Sequence, residues 1–201
     1  VRIIILLLII CAGAAAIEPA AELRATFTYL GVAVNPALVE LFSNRMSDPI
    51  DPQVLAVDLS TAQGSNRFAA DGAARDAAGW VTATRADPGD RTTFGYRFVG
   101  SLPSGTMVLH TYESGGGSGT FESVMLLAAS AAQATASDGS RRTRQVLAVL
   151  RTVPLGDRAN ATLDLAGTSV RVDRAQAHDE AQRTALVIAD PQLHEGPLPR
   201  R

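Results

Sequence analysis

The sequence predicts an all-β fold: an antiparallel β-sandwich of about eight to nine short strands with at most one or two short helices, a β-barrel being the alternative. Three observations carry that expectation. Apolar and polar residues alternate with a period of two across residues 92–100, where Phe94, Tyr96 and Phe98 interleave with Thr93, Gly95 and Arg97. Turn formers separate the apolar runs from Trp80 onward, among them Pro103-Ser104-Gly105 and Ala166-Gly167. A helix start signal stands at Asn35-Pro36 and nowhere else.

In chain order, Arg2 precedes an unbroken apolar run over residues 3–10, followed by Cys11, Gly13 and the small residues Ala14, Ala15 and Ala16. Charge, apolar core and small-residue site together predict a signal peptide over residues 1–16, cleaved after Ala16. The run is shorter than the roughly 20 residues that span a bilayer, so no transmembrane helix is expected after cleavage. Ile10 before Cys11 fits a lipoprotein processing site poorly, which makes lipidation the minor reading. Residues 17–190 then form a single β-rich domain, and residues 191–201 a flexible tail.

Residues 26–34 read as a first strand, rich in aromatic and β-branched side chains. Asn35 then caps a short helix that turns Leu38, Val39, Leu41 and Phe42 inward. The segment 48–52 is a rigid proline turn, 54–59 a second strand, and 60–78 a polar excursion. Strands follow at 80–84 and 92–100. With a turn centred between Pro103 and Ser104, Val99 faces Val108, Phe98 faces Leu109 and Arg97 faces His110. Residues 121–127 form an apolar strand, 128–144 a long surface connection, and 146–153 a central strand apolar on both faces. A turn is expected at 155–158. A hairpin centred on Ala166-Gly167 sets Leu163 opposite Val170 and Thr162 opposite Arg171. Residues 174–183 read as an exposed helical turn, and 186–189 as a last strand.

The absences exclude whole reaction classes. All eighteen cations are arginine and the single cysteine lies in the leader. Schiff bases, phosphate-loop lysines, thiol nucleophiles and thiolate metal sites therefore drop out of the mature chain. With no disulfide to help, packing alone must hold the fold. The formal charge of −2 for the whole chain does not advertise nucleic acid as a partner. Arg141, Arg142 and Arg144 cluster without interleaved aromatics, the composition of a solvated loop.

Two constellations are candidate sites. In the register above Arg97, His110 and Tyr112 share a sheet face as a polar binding strip, with Gly95 opposite Tyr112 leaving room beside the ring. Gly116, Gly117 and Ser118 lie in a glycine-rich connection, residues 114–120, whose backbone amides can approach an anion or a flat ligand. Glu113 and Glu122 flank that connection as a candidate acid and base pair, the arrangement glycoside hydrolysis requires. His178-Asp179-Glu180, His194-Glu195, Asp48 and Asp51 lack the spacing of a metal site, so neither metal nor cofactor is expected. The sequence thus predicts an exported bacterial protein, periplasmic or secreted, acting as a non-catalytic binding or envelope-associated module with a glycan or protein as partner. Two alternatives stand beside it: a secreted hydrolase using the carboxylate pair, and a subunit of an extracellular assembly whose edge strand is completed by a neighbour.

Overall fold

The computed structural model describes residues 18–43, 54–62, 75–84, 92–135, 138–176 and 179–191; the leader expected over residues 1–16, the proline turn expected at 48–52 and the tail expected from 191 onward, save residue 191, lie outside them. Among the described residues the chain forms eleven strands, all antiparallel, and three short helices. None of these helices is long and apolar enough to cross a membrane.

Pro19 opens α1 (Pro19–Thr26), where its fixed φ suits the first turn, and Phe27 ends it in the left-handed region with its N–H donating to Leu23 O at 2.9 Å. The expected strand over 26–34 is instead a miniature hairpin, β1 (Thr28–Tyr29) against β2 (Val32–Ala33). Its two turn residues, Leu30 and Gly31, both take positive φ, the requirement of a tight two-residue hairpin. Leu30 is strained there. The Glu22 carboxylate offsets that strain, accepting from Thr28 Oγ1 at 2.7 Å, Gly31 N at 2.7 Å and Leu30 N at 3.0 Å.

The capped helix is found as α2 (Pro36–Glu40), with Asn35 Oδ1 accepting from Ala37 N at 2.8 Å. Val39 and Phe42 are fully buried, whereas Leu41, at the C-cap between them, faces outward. The second strand is shorter than expected: β3 (Ala56–Asp58) gives way at Leu59 to α3 (Leu59–Ala62), where Asp58 accepts from Ser60 N.

The remaining strands are β4 (Trp80–Thr84), β5 (Thr93–Ser101), β6 (Met107–Ser114), β7 (Phe121–Thr135), β8 (Arg141–Asp157), β9 (Thr162–Ala166), β10 (Ser169–Gln176) and β11 (Asp179–Ala189). A curled six-stranded sheet has the order β3-β8-β7-β6-β5-β4, and a three-stranded sheet the order β11-β10-β9. The β5–β6 turn is closed by Gly105 N donating to Leu102 O at 2.8 Å, and Phe98 faces Leu109 and Arg97 faces His110 as expected. Val99 does not face Val108. It is the extra residue of a bulge, and Gly100 takes its place.

Four further expectations are corrected. Residues 128–144 are no loose connection: β7 and β8 pair continuously from Ala128↔Ala148 to Thr135↔Arg141. Their Ala, Ser, Thr and Gln side chains show no apolar alternation because that ribbon is mostly solvent-exposed, so only backbone pairing marks it as strand. The turn expected at 155–158 begins later, since Leu155, Gly156 and Asp157 complete β8 and positive φ appears first at Arg158 and then Asn160 among non-glycine residues. The next hairpin turns at Gly167-Thr168, so Leu163 faces Val172 and Thr162 faces Asp173; the two-residue slip keeps every side chain on its expected face. Residues 174–183 carry strand at 174–176 and 179–183, not a helical turn.

Both faces of the six-stranded sheet are covered, because alternate residues of one strand feed two cores. Met107 and Leu109 of β6, with Met125 and Leu127 of β7, pack under α1, α2 and α3 against Leu23, Phe27, Leu38, Phe42 and Leu59. Val108, Val124 and Leu126 face the opposite way, onto Leu163, Val170, Val172 and Ile188 of the small sheet. The result is three layers: helices, large sheet, small sheet. Asp190, fully buried after β11, ties the third layer to the second by accepting from Thr106 Oγ1 at 2.8 Å and from the Ser104 hydroxyl in the β5–β6 turn.

Candidate functional site

Two neighbouring rungs cross the six-stranded sheet on the face that the small sheet covers only in part. One runs Trp80, Arg97, His110, Val124; the next runs Thr82, Gly95, Tyr112, Glu122. Period-two alternation sends all these side chains to one face, so residues far apart in sequence converge. Arg97, His110 and Tyr112 are brought together as the sequence predicts.

Gly95 sets the shape of the site. A Cβ there would stand 2.4 Å from Tyr112 Cε1 and 2.8 Å from Cζ, so only glycine lets the tyrosine ring lie back across β5. From the other side Trp80 leans inward. Its ring meets Tyr112 edge-on, with centroids 5.0 Å apart, and lies 5.0 Å from the His110 ring. The Arg97 guanidinium sits 5.4 Å from the indole centroid, a cation–π contact. Trp80, Arg97 and Tyr112 are each half-exposed, while His110 beneath them is buried.

Under the aromatic pair lies a polar clasp. Nε2 of His110 donates to Glu122 Oε2 at 2.9 Å, and the same carboxylate accepts from Asn160 N at 3.0 Å and Ala161 N at 3.3 Å. The positive φ at Arg158 and Asn160 belongs to the turn that aims those amides at the carboxylate. Burial pushes the Glu122 carboxyl up, but the His110 hydrogen bond and charge and the two amides outweigh it and hold it below the usual glutamate range. The Tyr112 hydroxyl is pushed up by burial and by the nearby Asp76 carboxylate, which keeps it protonated at neutral pH. His110 Nδ1 is buried and has no hydrogen-bond partner among the described residues.

This arrangement supports little acid–base chemistry. A glycosidase acid requires a raised pKa, and Glu122 moves the opposite way with its oxygens engaged. Glu113 faces the other side of the sheet: it sits one residue past Tyr112 on β6, whereas Glu122 pairs with Tyr112 itself. The two carboxylates flank the glycine connection in sequence without sharing a cleft.

The glycine connection is exposed at Gly116, Gly117 and Ser118, and a Cβ at Gly115 or Gly117 would meet nothing within 4 Å. Its far end is pinned where Thr120 N donates to Asp157 Oδ1 at 2.7 Å and Arg158 N donates to Thr120 O at 2.7 Å. It lies beyond the Tyr112–Glu122 rung and contributes no side chain to it. Comparison with family models, curated proteins and solved structures finds no match. The chemistry of the strip is therefore read from its own residues.

Among the described residues no group of three His, Cys, Asp or Glu side chains converges on a metal position. His178, His194, Glu195, Asp48 and Asp51 lie outside the described residues. Arg141, Arg142 and Arg144 lie on the β8 side of the ribbon, away from the strip. Three participants were not singled out from sequence. Trp80, the only tryptophan, follows from continuing the hairpin register one strand outward. The Asn160 and Ala161 amides leave no side-chain signature to find.

Proposed function

We propose that this chain is an exported, non-catalytic binding module of the bacterial envelope, and that its ligand lies against the Trp80–Arg97–Tyr112 strip. One observation carries the reading: two half-exposed aromatic rings and a cation stand side by side on a rigid sheet, braced from below by the His110–Glu122 pair. Rigid aromatics lose little conformational entropy on binding, so such a platform suits recognition. The charge, apolar run and small residues over residues 1–16 support export to the periplasm or the medium.

The test is a binding screen of the purified protein against immobilised envelope glycans and peptides. Saturable binding is expected, abolished in Trp80→Ala and Tyr112→Ala variants whose circular dichroism still shows native sheet. Turnover of a substrate without saturable binding, or binding that both variants retain, overturns the reading. Mass spectrometry of the exported protein is expected to find Ile17 at its N-terminus.

A further inference from the structure

We infer that the strip selects an acidic sugar, a pyranose unit carrying a carboxylate, over its neutral counterpart; this rests on the binding reading above. Arg97 supplies the positive charge of the strip. Among the described residues its guanidinium makes no ion pair, and its one partner is the Trp80 ring. A half-exposed guanidinium in that state keeps its planar fork of donors for an incoming oxyanion, and carboxylate geometry fits that fork.

The aromatic surface specifies the second part of the ligand. Trp80 and Tyr112 meet edge-on, so together they offer a bent apolar surface beside the cation, which the C–H face of a sugar ring can cover. The hydrogen-bonding groups at the rim specify the third. The Tyr112 hydroxyl is free of partners among the described residues, Thr82 stands on the same rung, and Asp76 lies close enough to act on Tyr112 electrostatically. Asp76 Oδ1 is already engaged by Ala78 N and Trp80 N, both at 2.9 Å. Its charge beside a single arginine disfavours a multiply charged phosphate ligand, while its remaining acceptor capacity suits sugar hydroxyls. One carboxylate, one apolar ring face and several hydroxyls together describe a uronic-acid unit.

Because Trp80 is the only tryptophan, its fluorescence reports on the site directly. The experiment titrates the full chain with trigalacturonate and with its methyl ester, in which each carboxylate is capped by a methyl group and loses its charge. The acid is expected to shift Trp80 emission saturably, with affinity about tenfold above the ester, the range of one charge-assisted contact at a half-exposed position. Added salt is expected to weaken the acid alone. In Arg97→Gln the two affinities converge, and Arg97→Lys, which keeps the charge and loses the fork, retains part of the preference. Equal affinities for acid and ester in the wild type overturn the acidic specificity and leave the binding reading intact. If neither compound nor any ligand from the screen perturbs Trp80, the binding reading fails and takes this inference with it.

Discussion

The two faces of the six-stranded sheet draw on the same strands and end in different states. On the helical side Tyr96, Leu109, Met125 and Leu127 are fully buried; Thr111 Oγ1 there donates to Ser123 O, and the Tyr96 hydroxyl donates to Val34 O. Burial pushes that hydroxyl far above the usual tyrosine range, although the Arg75 charge opposes the shift. On the other side the small sheet buries Val108, Val124 and Leu126 but leaves the Trp80 end only half-covered. The helical face contributes packing and little else. The partly covered face needs a charged brace, His110 with Glu122, to keep its rungs in place.

The largest effect is expected on the dry side. Leu109→Ala removes a fully buried side chain from the larger core and should cost about 2–5 kcal/mol, read as a lower urea midpoint at unchanged slope. On the strip, Gly95→Ala drives a methyl into the Tyr112 ring and should cost about 1–3 kcal/mol. In a Tyr112→Ala background most of that cost should vanish, and a double-mutant cycle measures the coupling.

Glu122→Gln sharpens the contrast by removing the charge of the brace. A cost of about 1–3 kcal/mol at pH 7 is expected, since His110 loses a charged acceptor in a buried site. Because the folded carboxyl sits below its ordinary value of 4.5, its stabilisation is present above that pH and is lost as pH falls through the folded value. Denaturation curves of variant and wild type should therefore draw together on the acid side. The smallest effect is expected from Asn35→Ala, about 1 kcal/mol for a lost helix cap, with the strip's binding untouched.

Legibility followed the physics of each segment. Where one face is buried the period-two signal is strong, and Phe94, Tyr96 and Phe98 announce both strand and facing; the Arg97–His110 pairing follows from the turn beside them. The bulge at Val99 left no such mark, because one extra residue alters backbone pairing and not composition. The ribbon from Ala128 to Arg144 reads as loop for the opposite reason: exposed on most positions, it needs no apolar pattern to stay paired. At the site, alternation sufficed for Arg97, His110 and Tyr112. The same rule separates Glu113 from Glu122, since adjacent residues on paired strands point to opposite faces.

The ribbon carries one more consequence. Beyond β3 and β6, residues 141–144 of β8 and 128–135 of β7 pair only with each other among the described residues, which leaves unfilled backbone donors and acceptors along both margins. Such margins invite a second molecule to add a strand. Arg141, Arg142 and Arg144 stand along one of them, and Arg144 Nε, 3.4 Å from Asp58 Oδ2, fastens its base to β3. Stacked in an intermolecular sheet, identical arginines would face their own kind at strand spacing and repel. The basic cluster thereby sets charge against strand addition at an edge that no described residue covers.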